Sequence, residues 1–120
     1  MDKDTSIQEV KERVKKFCDK REWGEYHDAK ELAIGIITEA SELLHMFRFK
    51  SKEEAEAMFK NEEKRQEINE EVADIFVFTL LLVERYNIDL DTVLADKLKK
   101  NEGKYPVSKA KGSSNGYKGL

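Results

Sequence analysis

Leu32-Ala-Ile-Gly-Ile-Ile-Thr-Glu39-Ala-Ser-Glu42-Leu-Leu-His-Met-Phe47 sets apolar residues at helical spacing and carries two glutamates three positions apart. At about 100° per residue, Leu32, Ile36, Ala40, Leu43, Leu44 and Phe47 fall within one arc of a helix. Glu39 and Glu42 lie along one edge of that arc, about 60° apart, so both carboxylates point the same way beside a core. Glu71-Val-Ala-Asp74 is the counterpart. There Glu67, Glu71, Asp74 and Phe78 recur at i, i+4, i+7 and i+11, and the stripe enters Ile75-Phe-Val-Phe-Thr-Leu-Leu-Leu-Val83, which has no charge. An acidic stripe therefore runs into a buried region.

If the two stripes face each other, four carboxylates meet. A pair of like charges ~4 Å apart repels by ~4 kcal/mol at an effective dielectric near 20, so a cation must compensate. Oxygen-only ligands suit a hard ion, and Mg²⁺ held by carboxylates, waters and substrate phosphates is the usual arrangement. Spacing alone leaves surface charge equally open, because Glu9/Glu12, Glu22/Glu25 and Glu53/Glu56 repeat it in a chain that is 39% charged. Those three pairs lie among polar residues; the other two border apolar runs that would desolvate them.

A chain of 120 residues is one domain, small for a helical enzyme working alone, which predicts oligomerisation. With 22 basic and 25 acidic residues and a net charge of -3, it has no global basic field, so nucleic acid is not an expected partner. The single cysteine, Cys18, has no internal disulfide partner, and no leading apolar segment resembles a signal peptide. The cytoplasm is the expected compartment. The apolar run at residues 75–83 falls well short of the ~20 residues needed to cross a bilayer, so no membrane association is expected.

Along the chain, Ser6-Ile-Gln-Glu9 predicts a capping box opening a first helix, with Ile7, Val10, Val14, Phe17 and Cys18 at helical spacing. That helix fades near Glu22 into the aromatic connector Trp23-Gly-Glu-Tyr-His27, and Asp28-Ala-Lys-Glu31 predicts a second box. The second helix spans about Ala29 to Phe49. Gly35, one turn before Glu39, lowers helix propensity by ~1 kcal/mol and is either tolerated or marks a close approach. Ser51 to Asn61 reads as a short exposed helix without chemistry of its own. A third long helix, about Glu62 to Tyr86, is apolar on all sides from Ile75 to Val83, which calls for cover from a partner subunit. A fourth runs from Asn87-Ile-Asp-Leu-Asp91 to about Tyr105 and stops at Pro106; its stripe Leu90, Leu94, Lys97, Asn101, Lys104 turns from apolar to basic. No strand-like alternation occurs. The expected fold is all-α, a four-helix-bundle-type core completed by oligomerisation, with the domain over residues 1–106 and a mobile tail over 107–120.

Glu39-x-x-Glu42, a gap of 28 residues and Glu71-x-x-Asp74 together resemble the signature of the all-α nucleoside triphosphate pyrophosphohydrolases, the MazG-like group. Arg21-Glu-Trp23-Gly-Glu-Tyr-His27-Asp-Ala-Lys-Glu-Leu-Ala before the first pair, and Lys97-Leu-Lys-Lys-Asn101-Glu-Gly-Lys104-Tyr105-Pro106 closing the core, are similar to blocks of that group. The ending Lys111-Gly-Ser-Ser-Asn-Gly-Tyr117-Lys-Gly-Leu is similar to its dCTP pyrophosphatase branch. The resemblance implies a Mg²⁺ site of Glu39, Glu42, Glu71 and Asp74, and hydrolysis of a nucleoside triphosphate, dCTP or a modified cytosine nucleotide first, to the monophosphate and pyrophosphate. Glu39 or Glu42 would take the proton of the attacking water. Lys97, Asn101, Lys104 and Tyr105 would contact phosphates or sugar, Lys30 would join the substrate-binding set, and Trp23, His27, Phe49 and Phe78 would border the base. That branch commonly carries Trp at the position of Phe49 and Tyr at that of Phe78; a phenyl ring still stacks but offers no N–H or O–H to a base. The partners expected are the nucleotide and further copies of the chain, as a homodimer or a pair of dimers. The alternatives are a non-enzymatic helical oligomerisation or adaptor module, and a pyrophosphohydrolase for another substrate such as dUTP.

Overall fold

In the computed structural model, which describes residues 1–114, the chain is helical and no strand occurs among the described residues. The elements are α1 (Ile7–Asp19), α2 (Ala29–Phe47), α3 (Lys52–Met58), α4 (Glu62–Arg85), α5 (Leu90–Lys104) and α6 (Val107–Ala110). Short 3₁₀ turns cover Asp2–Asp4 and Gly24–Tyr26. Polar side chains set the starts. Ser6 and Glu9 form the full capping box expected at α1, with Glu9 N donating to Ser6 Oγ at 3.1 Å and Ser6 N to Glu9 Oε2 at 2.7 Å. At α2 only half the box is present, Glu31 N donating to Asp28 Oδ1 at 2.8 Å. Ser51 with Glu54 builds a second full box at α3, and Asn61 and Asp89 cap α4 and α5.

The ends are set by left-handed residues. Phe49 (φ 64°) and Asn87 (φ 53°) carry positive φ, so α2 stops at Phe47, two residues before the expected end, and α4 at Arg85, one before it. Glu22 (φ 55°) does the same after α1.

The chain divides into two compact units, Met1–Asn87 and a second beginning at Ile88. Within the first unit α4 packs along α2 and also against α1. Cys18, Leu32 and Leu81 form its buried centre, with Val14, Val77, Phe78 and Leu82 packed around them. Ile68, Leu80 and Val83 are also buried. Thr79, the polar residue inside the apolar run, satisfies its hydroxyl by donating to Ile75 O at 2.8 Å. The apolar run of α4 is not covered on every side: Phe76 is 58% exposed, and on α2 Ile37 and Leu44 are 68% and 65% exposed. In the second unit α6 forms a helical turn where the sequence predicts tail, and the rest of that expected tail, 115–120, lies outside the described residues.

Candidate metal centre

Helices α2 and α4 run antiparallel, in a register fixed by contacts along their seam. Gly35 faces Phe78, and a Cβ built on Gly35 would meet the Phe78 ring at Cδ1. Seven residues further along α2, Glu42 hydrogen-bonds with Glu71, which lies seven residues back along α4. The close approach that a glycine permits is thus the α4 ring, and it sets the helices one against the other at the height where the acidic residues meet.

Glu39, Glu42 and Glu71 each offer a carboxylate oxygen within 4.8 Å of the other two. Glu39 and Glu71 are half-buried and Glu42 is exposed. Withdrawal from water, then a hydrogen bond with Glu42 and the charges of Glu42, Asp74 and Glu71, push the Glu39 carboxyl up to about 7. Glu71 is pushed upward for the same leading reason, loss of solvation, with Glu42 next. Oε2 of Glu71 is buried and has no hydrogen-bond partner. Three crowded acids without a counter-charge, two of them pushed upward and one with an orphaned oxygen, are a donor set of the kind a hard divalent cation requires. The cluster fits such an ion. Asp74 is exposed and stands outside the trio, near enough for its charge to act on Glu39 and Glu71.

The family model described as the MazG-like family matches residues 34–120. The chain belongs to the MazG-like family. Over 115 residues it is 25% identical to dCTP pyrophosphatase 1 of Rattus norvegicus, covering 96% of this chain and 68% of that one. The human dCTP pyrophosphatase 1 is 24% identical over 112 residues, 93% of this chain and 66% of that one. Among solved structures, a pyrophosphatase from Archaeoglobus fulgidus superposes with a TM-score of 0.77 at 33% identity, covering 83% of this chain and 92% of that one.

The other expected site residues of this MazG-like chain are dispersed. Phe78 is half-buried, one face on Gly35 and the core. Phe49 stands 90% exposed beyond the opposite end of α2, the Arg48 guanidinium 4.5 Å from its ring centroid. From Gly35 to Phe47 is about 18 Å of helix, so within one chain a single base cannot touch both rings. Trp23 is 42% exposed, edge-on to Phe17 at 5.8 Å between centroids. Arg85 donates to Gly24 O at 3.0 Å and ties this connector to the end of α4. His27 lines a cavity of about 340 Å³ there, with Cys18, Glu84, Arg85 and Asn87. Burial pushes the Cys18 thiol up, as suits a core residue rather than a nucleophile. Lys30 is exposed on the first turn of α2.

In the second unit Lys97 and Lys104 are exposed, while Asn101 and Tyr105 are half-buried. The Asn101 Oδ1 and Tyr105 Oη atoms are buried without partners. A second cavity of the first unit, about 390 Å³, is lined by Met46, Arg48, Lys50, Met58, Lys64 and Glu67 with His45. The sequence reading singles out none of its cations. The signal available was the antiparallel pairing of the two acidic stripes, which places Glu67 beside Met46.

Proposed function

We propose that this MazG-like chain hydrolyses a nucleoside triphosphate to the monophosphate and pyrophosphate at the cluster of Glu39, Glu42 and Glu71, with Mg²⁺ as the metal and dCTP or a modified cytosine nucleotide as the substrate. The chain is a nucleotide pyrophosphohydrolase, the activity that its family and its similarity to the dCTP pyrophosphatases and the archaeal pyrophosphatase support. The observation that carries the site is the unpartnered Oε2 of Glu71 inside an acidic cluster in which Glu39 and Glu71 are both pushed upward.

Glu39, Glu42 and Glu71 would hold the ion, with Asp74 adding charge from the next turn of α4. When bound, Mg²⁺ supplies neutralisation of phosphate charge and a lowered pKa for bound water. The carboxylate of Glu39 or Glu42 that keeps an oxygen free accepts the proton of the attacking water. The water oxygen bonds to phosphorus as the α–β phosphoanhydride bond breaks, and the electron pair leaves with pyrophosphate. The Phe78 ring on Gly35 stands about one helical turn from Glu39 along the seam. Asn101 and Tyr105, with buried polar atoms lacking partners, would contact phosphate or sugar together with Lys97 and Lys104. Lys30, Trp23, His27, Phe49 and Phe78 complete the substrate set, the rings bordering the base.

The exposed Ile37, Leu44 and Phe76 support assembly as a homodimer or a pair of dimers, in which a second copy would bring the distant Phe49 to a base beside Phe78. Among the described residues no helix is long and apolar enough to cross a membrane, and a cytoplasmic nucleotide pool is the expected setting. The test is a panel of deoxy- and ribonucleoside triphosphates assayed for pyrophosphate release with and without Mg²⁺. Metal-dependent release that is fastest for cytosine nucleotides is expected; release fastest for dUTP would reassign the base, and none from any nucleotide would remove the activity.

A further inference from the structure

Along the α2–α4 seam the chemistry changes in order. At Gly35 and Phe78 the helices touch through an aromatic ring with no space for a Cβ. Next come Glu42 and Glu71 with Glu39. One turn further, Met46 and Glu67 line the cavity of about 390 Å³, whose other walls carry Arg48, Lys50 and Lys64. Met46 lies four residues past Glu42 and Glu67 four before Glu71, so the cavity opens about 6 Å along the seam from the carboxylates.

Three cations against one carboxylate line this cavity, a balance that suits an anion. Lys64 already holds Glu67 at 3.5 Å and Lys50 lies within reach of the Glu54 charge, which leaves Arg48 in surplus. A guanidinium grips phosphate oxygens with two parallel donors, and lysine adds point charge. The Arg48 guanidinium lies against the Phe49 ring, which restricts its freedom before an anion arrives. In the opposite direction along the seam the Phe78 ring comes first, and Lys30 and Arg85 lie beyond it towards the far ends of the two helices.

Resting on the pyrophosphohydrolase reading above, we propose that this α2–α3–α4 cavity is the subsite for the β- and γ-phosphates, and so for the pyrophosphate product. Arg48, Lys50 and Lys64 bind it there. The triphosphate then lies along the seam, its leaving half in the cationic cavity and its α-phosphate at the carboxylates. This makes α3 a wall of the site and Lys64, in the first turn of α4, a substrate residue.

Product inhibition separates this from a merely structural role. With Arg48→Gln and Lys64→Gln as single variants, inhibition of pyrophosphate release by added inorganic pyrophosphate is expected to weaken about tenfold, the loss of one charge-assisted contact. Inhibition by the nucleoside monophosphate should stay unchanged. Lys64→Arg should restore most of the pyrophosphate effect. All three side chains are exposed, and the Lys64–Glu67 pair is a surface ion pair of small worth, so the variants should melt like the wild type. Unchanged pyrophosphate inhibition in both active variants, or an equal weakening for both products, overturns the subsite and leaves the enzymatic reading standing. A wild-type protein that releases no pyrophosphate from any triphosphate overturns the reading and the subsite together.

Discussion

Two glutamates of this chain sit outside the ordinary carboxylate range on opposite sides, and their surroundings show what separates a structural acid from a chemical one. Glu54, in the first turn of α3, is held below that range by the backbone and hydroxyl of Ser51. Glu39, on the α2–α4 seam, is pushed up to about 7 by loss of water and by other acids. Both belong to acid-rich helical turns. The first is supplied with donors by its own helix start and needs nothing more; the second faces a second helix that brings acceptors only, and is incomplete without a cation.

The sharpest way to break this contrast is to neutralise the seam. Glu39→Gln, Glu71→Gln and Asp74→Asn should each lower turnover by at least ~100-fold with the helical circular dichroism intact, since the first two remove ligand charge and the third the charge beside it, all at constant shape. Full metal-dependent activity in all three would dissolve the difference between the two glutamates. A smaller effect should follow from Gly35→Ala, whose Cβ would collide with the Phe78 ring. Overpacking costs ~1–3 kcal/mol, partly offset by ~1 kcal/mol of helix propensity, so denaturant titration should give a net loss accompanied by weaker metal binding as the carboxylates are spread. Ser51→Ala, on the other side of the contrast, should cost about 1 kcal/mol in the same titration and leave activity unchanged.

The smallest effects lie in pH and have opposite signs. In metal-free protein a carboxyl raised from 4.5 to about 7 contributes most stability when protonated, and that contribution is lost as pH rises through this interval. Glu39→Gln should therefore melt with the wild type near pH 4 and above it near pH 8. Glu54, lowered from 4.5, contributes stability above its ordinary pKa that is lost as pH falls, so Glu54→Gln should melt below the wild type at pH 8 and converge with it in acid. Parallel curves for the two variants would show that their environments do not differ.

Much of this was legible in the sequence because the relevant physics is local. The starts of α1 and α2 follow from Ser6 and Asp28, whose side chains reach only three residues ahead. The two acidic pairs stand out because each borders an apolar run. Gly35 signalled a close approach without naming the ring that makes it. What stayed hidden depends on pairing between distant segments. Periodicity alone could not show that Glu39, Glu42 and Glu71 converge while Asp74 stands aside, because that depends on the helix register. Nor could it show the left-handed backbone of Phe49, which ends α2 early, or a cavity with walls from three helices, one of them read as free of chemistry.

The Phe78 ring seated on Gly35 works as a dowel between two rods. Helices that meet through long flexible side chains can slide, and a slip of one residue would move Glu42 about 1.5 Å along Glu71. A rigid ring in a notch one atom deep tolerates no such slip. The spacing of the acidic oxygens is thereby gauged by a contact two turns away that carries no charge, so the pocket's tolerance for ions of different radius is machined into the apolar part of the seam.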